Sequence, residues 1–172
     1  MAASVTTPSL TVMAKPAKQV LGKHLIFQLG KEEFAINVMN VKEIMKMQLI
    51  TVVPQTPAFV QGVINLRGKI VPVINLRRRF NIEDREDTEL TCIVVVRMQA
   101  ATGEQPVGIV VDGVVEVLTF NDEDIEDTPD FGLEGVMPYV RGMAKVKGRV
   151  KIVLDIDQVL HGSQLDRMTA RT

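Results

Sequence analysis

The side chains that could do chemistry are few and lie far apart in the sequence. His24 and His161 stand near opposite ends of the patterned region, and neither has a Cys, Asp or Glu at the spacing of a metal site. Cys92 lies within an apolar run, where a thiol behaves as a small hydrophobe and its pKa tends to rise. These residues predict no metal site, no cofactor and no catalytic thiolate.

The acidic run between Asp122 and Asp127 is the densest group of carboxylates. It lacks the alternating ligand spacing and the central glycine of a calcium loop, so it indicates a solvated loop or the start of a short helix. The sequence also contains no glycine-rich phosphate loop and no GxSxG nucleophile motif. The chain is therefore predicted not to be an enzyme.

Arg77, Arg78 and Arg79 form the one dense run of cations, and such a run could contact phosphate groups. The formal net charge is −1 and aromatic residues make up 4% of the chain, so the wider basic surface and the stacking platforms of a nucleic-acid binder are missing. A solvated helix face is the favoured interpretation. A β-barrel module that binds nucleic acid remains the alternative function.

The composition favours one compact β-rich domain. Hydrophobic residues make up 46% of the 172 residues, and Val and Ile are prominent among them, as is typical of strands. One cysteine fits a reducing cytoplasm, and no apolar run approaches the roughly 20 residues that span a bilayer. The polar segments 1–19 and 162–172 are predicted to be flexible tails around a domain at 20–161.

Short apolar runs between turn residues predict a series of strands, with one helical interruption. Apolar residues in Val38–Met45 follow a helical spacing, with Asn37 as the N-cap. Pro54 and Pro57 predict a loop. The strands predicted outside hairpins are Lys23–Leu29, Glu33–Asn37, Gln48–Val53 and Leu90–Met98.

Three pairs of apolar runs are separated by a glycine turn, which predicts three β-hairpins. A hairpin followed by a short helix occurs twice, at Val63–Phe80 and Gly142–Leu160, with Asp155 as the N-cap of the second helix. This repeat favours two related barrels. The hairpins join Val63–Leu66 to Lys69–Ile74, Gln105–Val111 to Val114–Leu118 through Asp112-Gly113, and Gly142–Val146 to Val150–Leu154.

The first hairpin carries the sequence VINLR on both arms and turns at Arg67-Gly68. Strand alternation places Ile64 and Leu66 on one face, and Pro72 predicts an edge strand or a bulge. Arg67 then projects from the tip with no local partner. A rigid apolar platform that presents a multi-donor cation suits recognition of a partner protein.

The stretch TPAFVQGVINLRGKIVPVINLRRRF (Thr56–Phe80) resembles the signature of the CheW family of bacterial chemotaxis coupling proteins. The similarity continues through Glu32–Ile44, Val107–Leu118 and the last hairpin, and so covers about residues 20–161. It implies a mainly β fold of two SH3-like five-stranded β-barrel subdomains that share a hydrophobic seam, with short helices. It also implies a scaffold that couples chemoreceptor cytoplasmic tips to the histidine kinase CheA at membrane-associated receptor arrays.

The resemblance also assigns residues. The receptor-facing arginine falls on Arg67, and its glutamate partner falls on Glu43. Further receptor-binding positions fall on Val41, Ile44, Gly62, Cys92 and Val117, although the family usually has an aliphatic residue at the position of Cys92. Gly108 falls on a position associated with kinase coupling. The resemblance does not fix the rest of the kinase-docking surface, which is expected either at the ends of the second subdomain or on the loops of the first. The candidate residues for it are Asp112 and Gly113 at their turn, and Pro54 and Pro57 in their loop.

Overall fold

The computed structural model describes residues 20–126 and 139–161, and they form two β-sheets with short helices. The predicted tails and residues 127–129 of the acidic loop lie outside the described residues. The strands are β1 Gly22–Leu29, β2 Glu32–Asn37, β3 Val41–Lys46, β4 Val60–Leu66, β5 Lys69–Asn75, β6 Cys92–Ala100, β7 Gly103–Val111, β8 Gly113–Phe120, β9 Ile125–Glu126, β10 Val140–Val146 and β11 Arg149–Leu154. The helices are α1 Leu76–Arg79 and α2 Ile156–Leu160, with 3-10 turns at Val38–Asn40 and Asp122–Asp124.

The chain enters one sheet, leaves it to build the other, and then returns. One sheet has the strand order β8-β1-β2-β11-β10-β9, and the other has the order β3-β6-β7-β5-β4. The predicted mainly β fold with two subdomains is confirmed, and the two-residue β9 adds a sixth strand to one sheet. Along the chain, the five strands β3–β7 of this second sheet therefore come between β2 and β8 of the six-stranded sheet.

The buried apolar residues form three cores, one of which joins the two sheets. A shared core draws on both sheets, with Phe27 and Ile36 from one and Ile74 and Ile109 from the other, and Leu160 of α2 completes it. Each sheet also has a smaller core of its own. The shared core corresponds to the hydrophobic seam that the family resemblance implies, and burial of this much apolar surface is the main stabilising contribution.

The first and third predicted hairpins are confirmed, and so are the helices that follow them. Asn75 and Asp155 cap α1 and α2, because their side chains accept hydrogen bonds from the amides of Arg78 and Gln158. Pro72 lies in the interior strand β5, so the predicted edge position is wrong, and the bulge in the β4–β5 ladder falls in β4, between Val60 and Gly62. Pro72 is tolerated because the parallel pairing of β5 with β7 begins only at Val73.

The second predicted hairpin is wrong. β7 pairs with β6 and β5, whereas β8 crosses to the other sheet and pairs with β1. The Asp112 amide donates to the Gln28 carbonyl at 2.9 Å, and the Asp112 side chain is buried. Asp112-Gly113 is therefore a crossing point between the sheets rather than an exposed tight turn.

Two other predictions fail in the region between β2 and β4. The predicted helix Val38–Met45 is a 3-10 turn of three residues, capped by Asn37 as expected, followed by β3. A bulge between Val41 and Glu43 resets the strand alternation, and this reset mimics a helical spacing. The predicted strand Gln48–Val53 is irregular, with one isolated bridge between Thr51 and Val63.

Candidate partner-binding surface

Arg67 and Glu43 form a bidentate ion pair at the tip of the first hairpin. The Arg67 Nη1 and Nη2 atoms lie 2.7 and 3.0 Å from the two Glu43 carboxylate oxygens. Arg67 has φ of +51°, and the Asn65 side chain accepts a hydrogen bond from the Gly68 amide, which fixes the turn. The Arg67 side chain is 71% exposed, so its guanidinium is oriented by Glu43 and remains open to a partner.

The pair shifts the titration of both groups in the direction that keeps it charged. The hydrogen bond from Arg67 lowers the pKa of Glu43 below its ordinary value, and the charges of Arg67 and Lys42 add to this. The same hydrogen bond raises the pKa of Arg67. The surface therefore presents an ordered, ionised pair throughout the neutral range.

Two of the apolar side chains assigned to receptor binding are open to solvent. Ile44 follows Glu43 on β3 and is 47% exposed, and Val117 on β8 is 53% exposed. β3 and β8 are edge strands of different sheets. Val41 is half-buried against the shared core, so its main contacts are with the core residues beneath the surface.

Cys92 also packs against the shared core, at the start of β6. Burial raises the pKa of the Cys92 thiol, and a hydrogen bond with the Val114 backbone only partly offsets this. The thiol is therefore a packing group at neutral pH. It also connects the five-stranded sheet to the edge strand β8.

Gly62 and Gly108 lie where neighbouring atoms leave no room for a side chain. Gly62 has φ of +150°, and a Cβ there would lie 2.2 Å from the Thr51 carbonyl oxygen. A Cβ at Gly108 would lie 2.8 Å from a methyl group of Ile93. Gly62 therefore allows the Thr51 backbone to pack closely, and Gly108 makes room for the Ile93 side chain.

The residues assigned to kinase coupling separate into a buried group and an exposed segment. The carboxylate of Asp112 accepts hydrogen bonds from the Gly30 amide at 2.7 Å and from Arg77 at 2.6 and 2.8 Å, and Gly113 lies against Leu90. By contrast, Pro54 lies in an exposed segment between β3 and β4. Pro57 is half-buried, and its carbonyl accepts the Val60 amide at 3.0 Å.

The exposed segment also presents apolar side chains that the sequence patterns did not single out. Leu49 is 90% exposed and Val52 is 76% exposed. They were missed because Gln48–Val53 was predicted to be a strand, and a strand in a sheet is expected to bury the side chains on one of its two faces. The irregular backbone instead leaves both side chains in solvent.

The predicted solvated face of Arg77–Arg79 is wrong for two of its three residues. Arg77 is 8% exposed and binds Asp112. Arg79 donates to the carbonyls of Val159 and His161, and its guanidinium lies over the rings of Phe59 and Tyr139 at 4.6 and 5.1 Å. Arg78 is the exposed residue of the three, with 39% of its side chain open to solvent, and it pairs with Asp84 at 2.9 Å.

The described residues contain no constellation for metal chemistry. No group of three or more His, Cys, Asp or Glu residues within 20–126 and 139–161 could hold a metal ion. His24 is 1% exposed and stacks on Phe120 with ring centroids 4.9 Å apart, so it is a core residue. None of the helices in this part of the chain has the length and apolar character needed to cross a membrane.

Known proteins are similar to this chain in both sequence and fold. Residues 23–164 match the family model of the CheW-like domain. The chemotaxis protein CheW of Klebsiella aerogenes is 36% identical over 157 residues, covering 91% of this chain and 92% of that protein. CheW of Thermotoga maritima is 37% identical over 139 residues, covering 79% and 85% respectively. The crystal structure of the scaffolding protein TtCheW from Thermoanaerobacter tengcongensis is similar, with a TM-score of 0.73, 32% identity and coverage of 84% of this chain and 95% of that one.

The two-sheet fold and the similarity to these proteins define the class as a scaffold protein. The chain belongs to the CheW-like domain family. It is a non-catalytic coupling protein of bacterial chemotaxis. The nucleic-acid alternative has no support, because these relatives are named as chemotaxis and scaffolding proteins and the arginine run makes internal contacts.

Proposed function

We propose that this protein couples the cytoplasmic tips of chemoreceptors to the regulatory domain of the histidine kinase CheA, at membrane-associated receptor arrays in the cytoplasm. The observation that supports this best is the Arg67–Glu43 pair. It is ordered by a bidentate contact, open to solvent, and adjacent to the exposed Ile44. A long helix with an apolar stripe and a complementary charge fits such a surface.

The receptor-facing surface consists of Glu43, Arg67 and Ile44 on the five-stranded sheet, together with Val117 on β8. Val41, Gly62 and Cys92 act beneath it by packing. Aliphatic side chains supply the area that a docked helix buries, whereas the exposed ion pair contributes orientation and selectivity. These roles differ because hydrophobic burial is non-directional and bidentate hydrogen bonding is directional.

The kinase-facing surface is proposed to lie on the exposed segment that contains Pro54 and Pro57. Leu49 and Val52 provide the apolar contact area, and the prolines restrict the segment and so lower the entropic cost of docking. Gly108, Asp112 and Gly113 are proposed to contribute from beneath, since the Asp112 contacts hold the crossing between the sheets. The proposed kinase-facing segment then lies between β3 and β4 of the five-stranded sheet, whereas the receptor-facing surface also includes Val117 of the six-stranded sheet.

Co-sedimentation with a receptor cytoplasmic fragment, with and without CheA, tests both halves of the proposal. Ile44→Ala is expected to weaken receptor binding by roughly five-fold or more, because it removes apolar area from the interface. Leu49→Ala is the reciprocal variant, expected to weaken kinase recruitment with receptor binding retained. Failure of the unmodified protein to bind either partner would overturn the proposed function.

A further inference from the structure

The two sheets repeat each other residue by residue. The order β3-β6-β7-β5-β4 in one corresponds to β8-β1-β2-β11-β10 in the other. In both, an antiparallel hairpin leads into a short capped helix, and the second hairpin strand pairs in parallel with an interior strand. Gly108 and Ala35 take equivalent places in this parallel pairing, opposite Val73 and Val153. The correspondence therefore reaches individual positions.

The edge strands β3 and β8 match through a shared bulge. In β3, the bulge separates Val41 from Glu43, and in β8 it separates Val114 from Glu116. The sequences VKEI and VVEV follow the same order through it. Glu116 is therefore the counterpart of Glu43, and Val117 is the counterpart of Ile44.

The hairpin tips match as well. Arg67 and Gly68 have φ of +51° and +86°, and Lys147 and Gly148 have φ of +56° and +79°. Each pair occupies the turn between antiparallel arms in the same register. Lys147 is therefore the counterpart of Arg67, and the acid and cation of the first surface recur at the second.

The two surfaces differ in whether the charges meet. Arg67 and Glu43 bind each other, whereas the side chains of Glu116 and Lys147 make no hydrogen bond or ion pair with any residue that the structure describes. Val115, Glu116 and Val117 are all exposed, so both faces of β8 are open at this point. A half-buried strand would hide every second residue.

We propose that Glu116 and Lys147 determine partner specificity, and that the docked receptor helix supplies the opposite charges which this chain supplies internally at Arg67–Glu43. This inference rests on the proposed function and extends it. The receptor-facing surface then has two related halves. One is pre-organised by its own ion pair, and the other is completed by a cation of the partner at Glu116 and an anion at Lys147. Val117 supplies the apolar contact of this half, as Ile44 does in the first half.

The test is the affinity for a receptor cytoplasmic fragment, measured by calorimetry over a series of salt concentrations. Glu116→Gln and Lys147→Gln are each expected to weaken binding about three-fold and to flatten its salt dependence. Glu116→Lys is expected to weaken binding about ten-fold, because it places like charges together. Glu123→Gln serves as the matched control, since Glu123 is exposed in the 3-10 turn after β8.

The melting temperature of each variant should equal that of the unmodified protein, because neither side chain has a partner to lose. Glu116→Gln and Lys147→Gln binding as tightly as Glu123→Gln, while Ile44→Ala binds weakly, would overturn this inference and leave the proposed function intact. Binding unaffected by Ile44→Ala as well, or absent altogether, would overturn both.

Discussion

Arg67 and Glu43 join the opposite edges of the five-stranded sheet. Glu43 lies on β3, at one end of the strand order, and Arg67 lies at the tip of the β4–β5 hairpin, at the other end. The Thr51–Val63 bridge connects the same two regions through the backbone. The ion pair and this bridge therefore connect elements at opposite ends of the strand order.

Arg67→Ala should weaken receptor association several-fold and leave the melting temperature nearly unchanged. The reason is exposure, because ion pairs between exposed side chains contribute little to folding. Receptor binding and thermal unfolding, measured on the same preparation, check this prediction. Arg78→Ala is the matched control, since Arg78 is also an exposed, paired arginine and lies outside the proposed surface. A large fall in melting temperature for Arg67→Ala alone would show that the pair is structural.

Asp112→Asn should destabilise the protein by about 3 kcal/mol, because breaking one side of a buried pair leaves Arg77 uncompensated. Burial acts to raise the pKa of Asp112, but Arg77, the Gly30 amide and Arg85 together outweigh it and hold the pKa below its ordinary value. This contribution to stability is therefore present at neutral pH and is lost as the pH falls below about 4.

Chemical denaturation at neutral pH measures this effect. Asp84→Asn is the control, because it breaks an exposed pair and should cost less than about 1 kcal/mol. Equal losses in the two variants would contradict the structural role given to Asp112. A selective loss of CheA recruitment at full stability would instead favour a direct contact of Asp112 with the kinase.

The local elements of this fold were predictable from the sequence. Glycine turns located the hairpins at Arg67-Gly68 and Lys147-Gly148, and the cap of α2 was read from Asp155. These features depend on a few neighbouring residues, and their physical causes are local. The Glu43–Arg67 contact was expected from the family resemblance, because 24 positions separate the two residues and no local pattern connects them.

The wrong predictions have a common cause, because each depends on strand register or on contacts with residues distant in the sequence, which a local sequence pattern does not reveal. The bulge at Val41–Glu43 shifts the alternation by one residue, and the crossing at Asp112 depends on Arg77 and Gly30 from other elements. Arg79 resembled a solvated cation until Phe59 and Tyr139 were placed around it. The equivalence of Glu116 and Glu43 was visible as VVEV and VKEI, but only the shared register gave that similarity a structural meaning.

Gly62→Ala should destabilise the protein by about 3 kcal/mol, because the added Cβ would collide with the Thr51 carbonyl and the backbone has a positive φ. If Gly62→Ala also weakens receptor binding, the expected cause is displacement of the Thr51–Val63 bridge. Thermal unfolding should reveal the loss before any partner is added. Gly148→Ala is the control, since its φ is +79° but its Cβ would meet open space, so its cost should be about 1 kcal/mol. A fully stable Gly62→Ala protein with defective binding would instead place Gly62 at the interface itself.

His24 should make the stability of the protein fall under mildly acidic conditions. Burial lowers the pKa of His24 below its ordinary value of 6.5, the hydrogen bond to the Gly22 carbonyl partly opposes this, and the charge of Arg141 adds to the lowering. The unfolded chain therefore binds the proton more readily than the folded one, so the contribution of neutral His24 is present above about pH 6.5 and declines as the pH falls below it.

His24→Phe retains an aromatic stack on Phe120 and removes the titration. Its free energy of unfolding is expected to vary less between about pH 7.5 and 5.5 than that of the unmodified protein. Identical slopes for the two proteins would show that the protonation of His24 is not linked to folding.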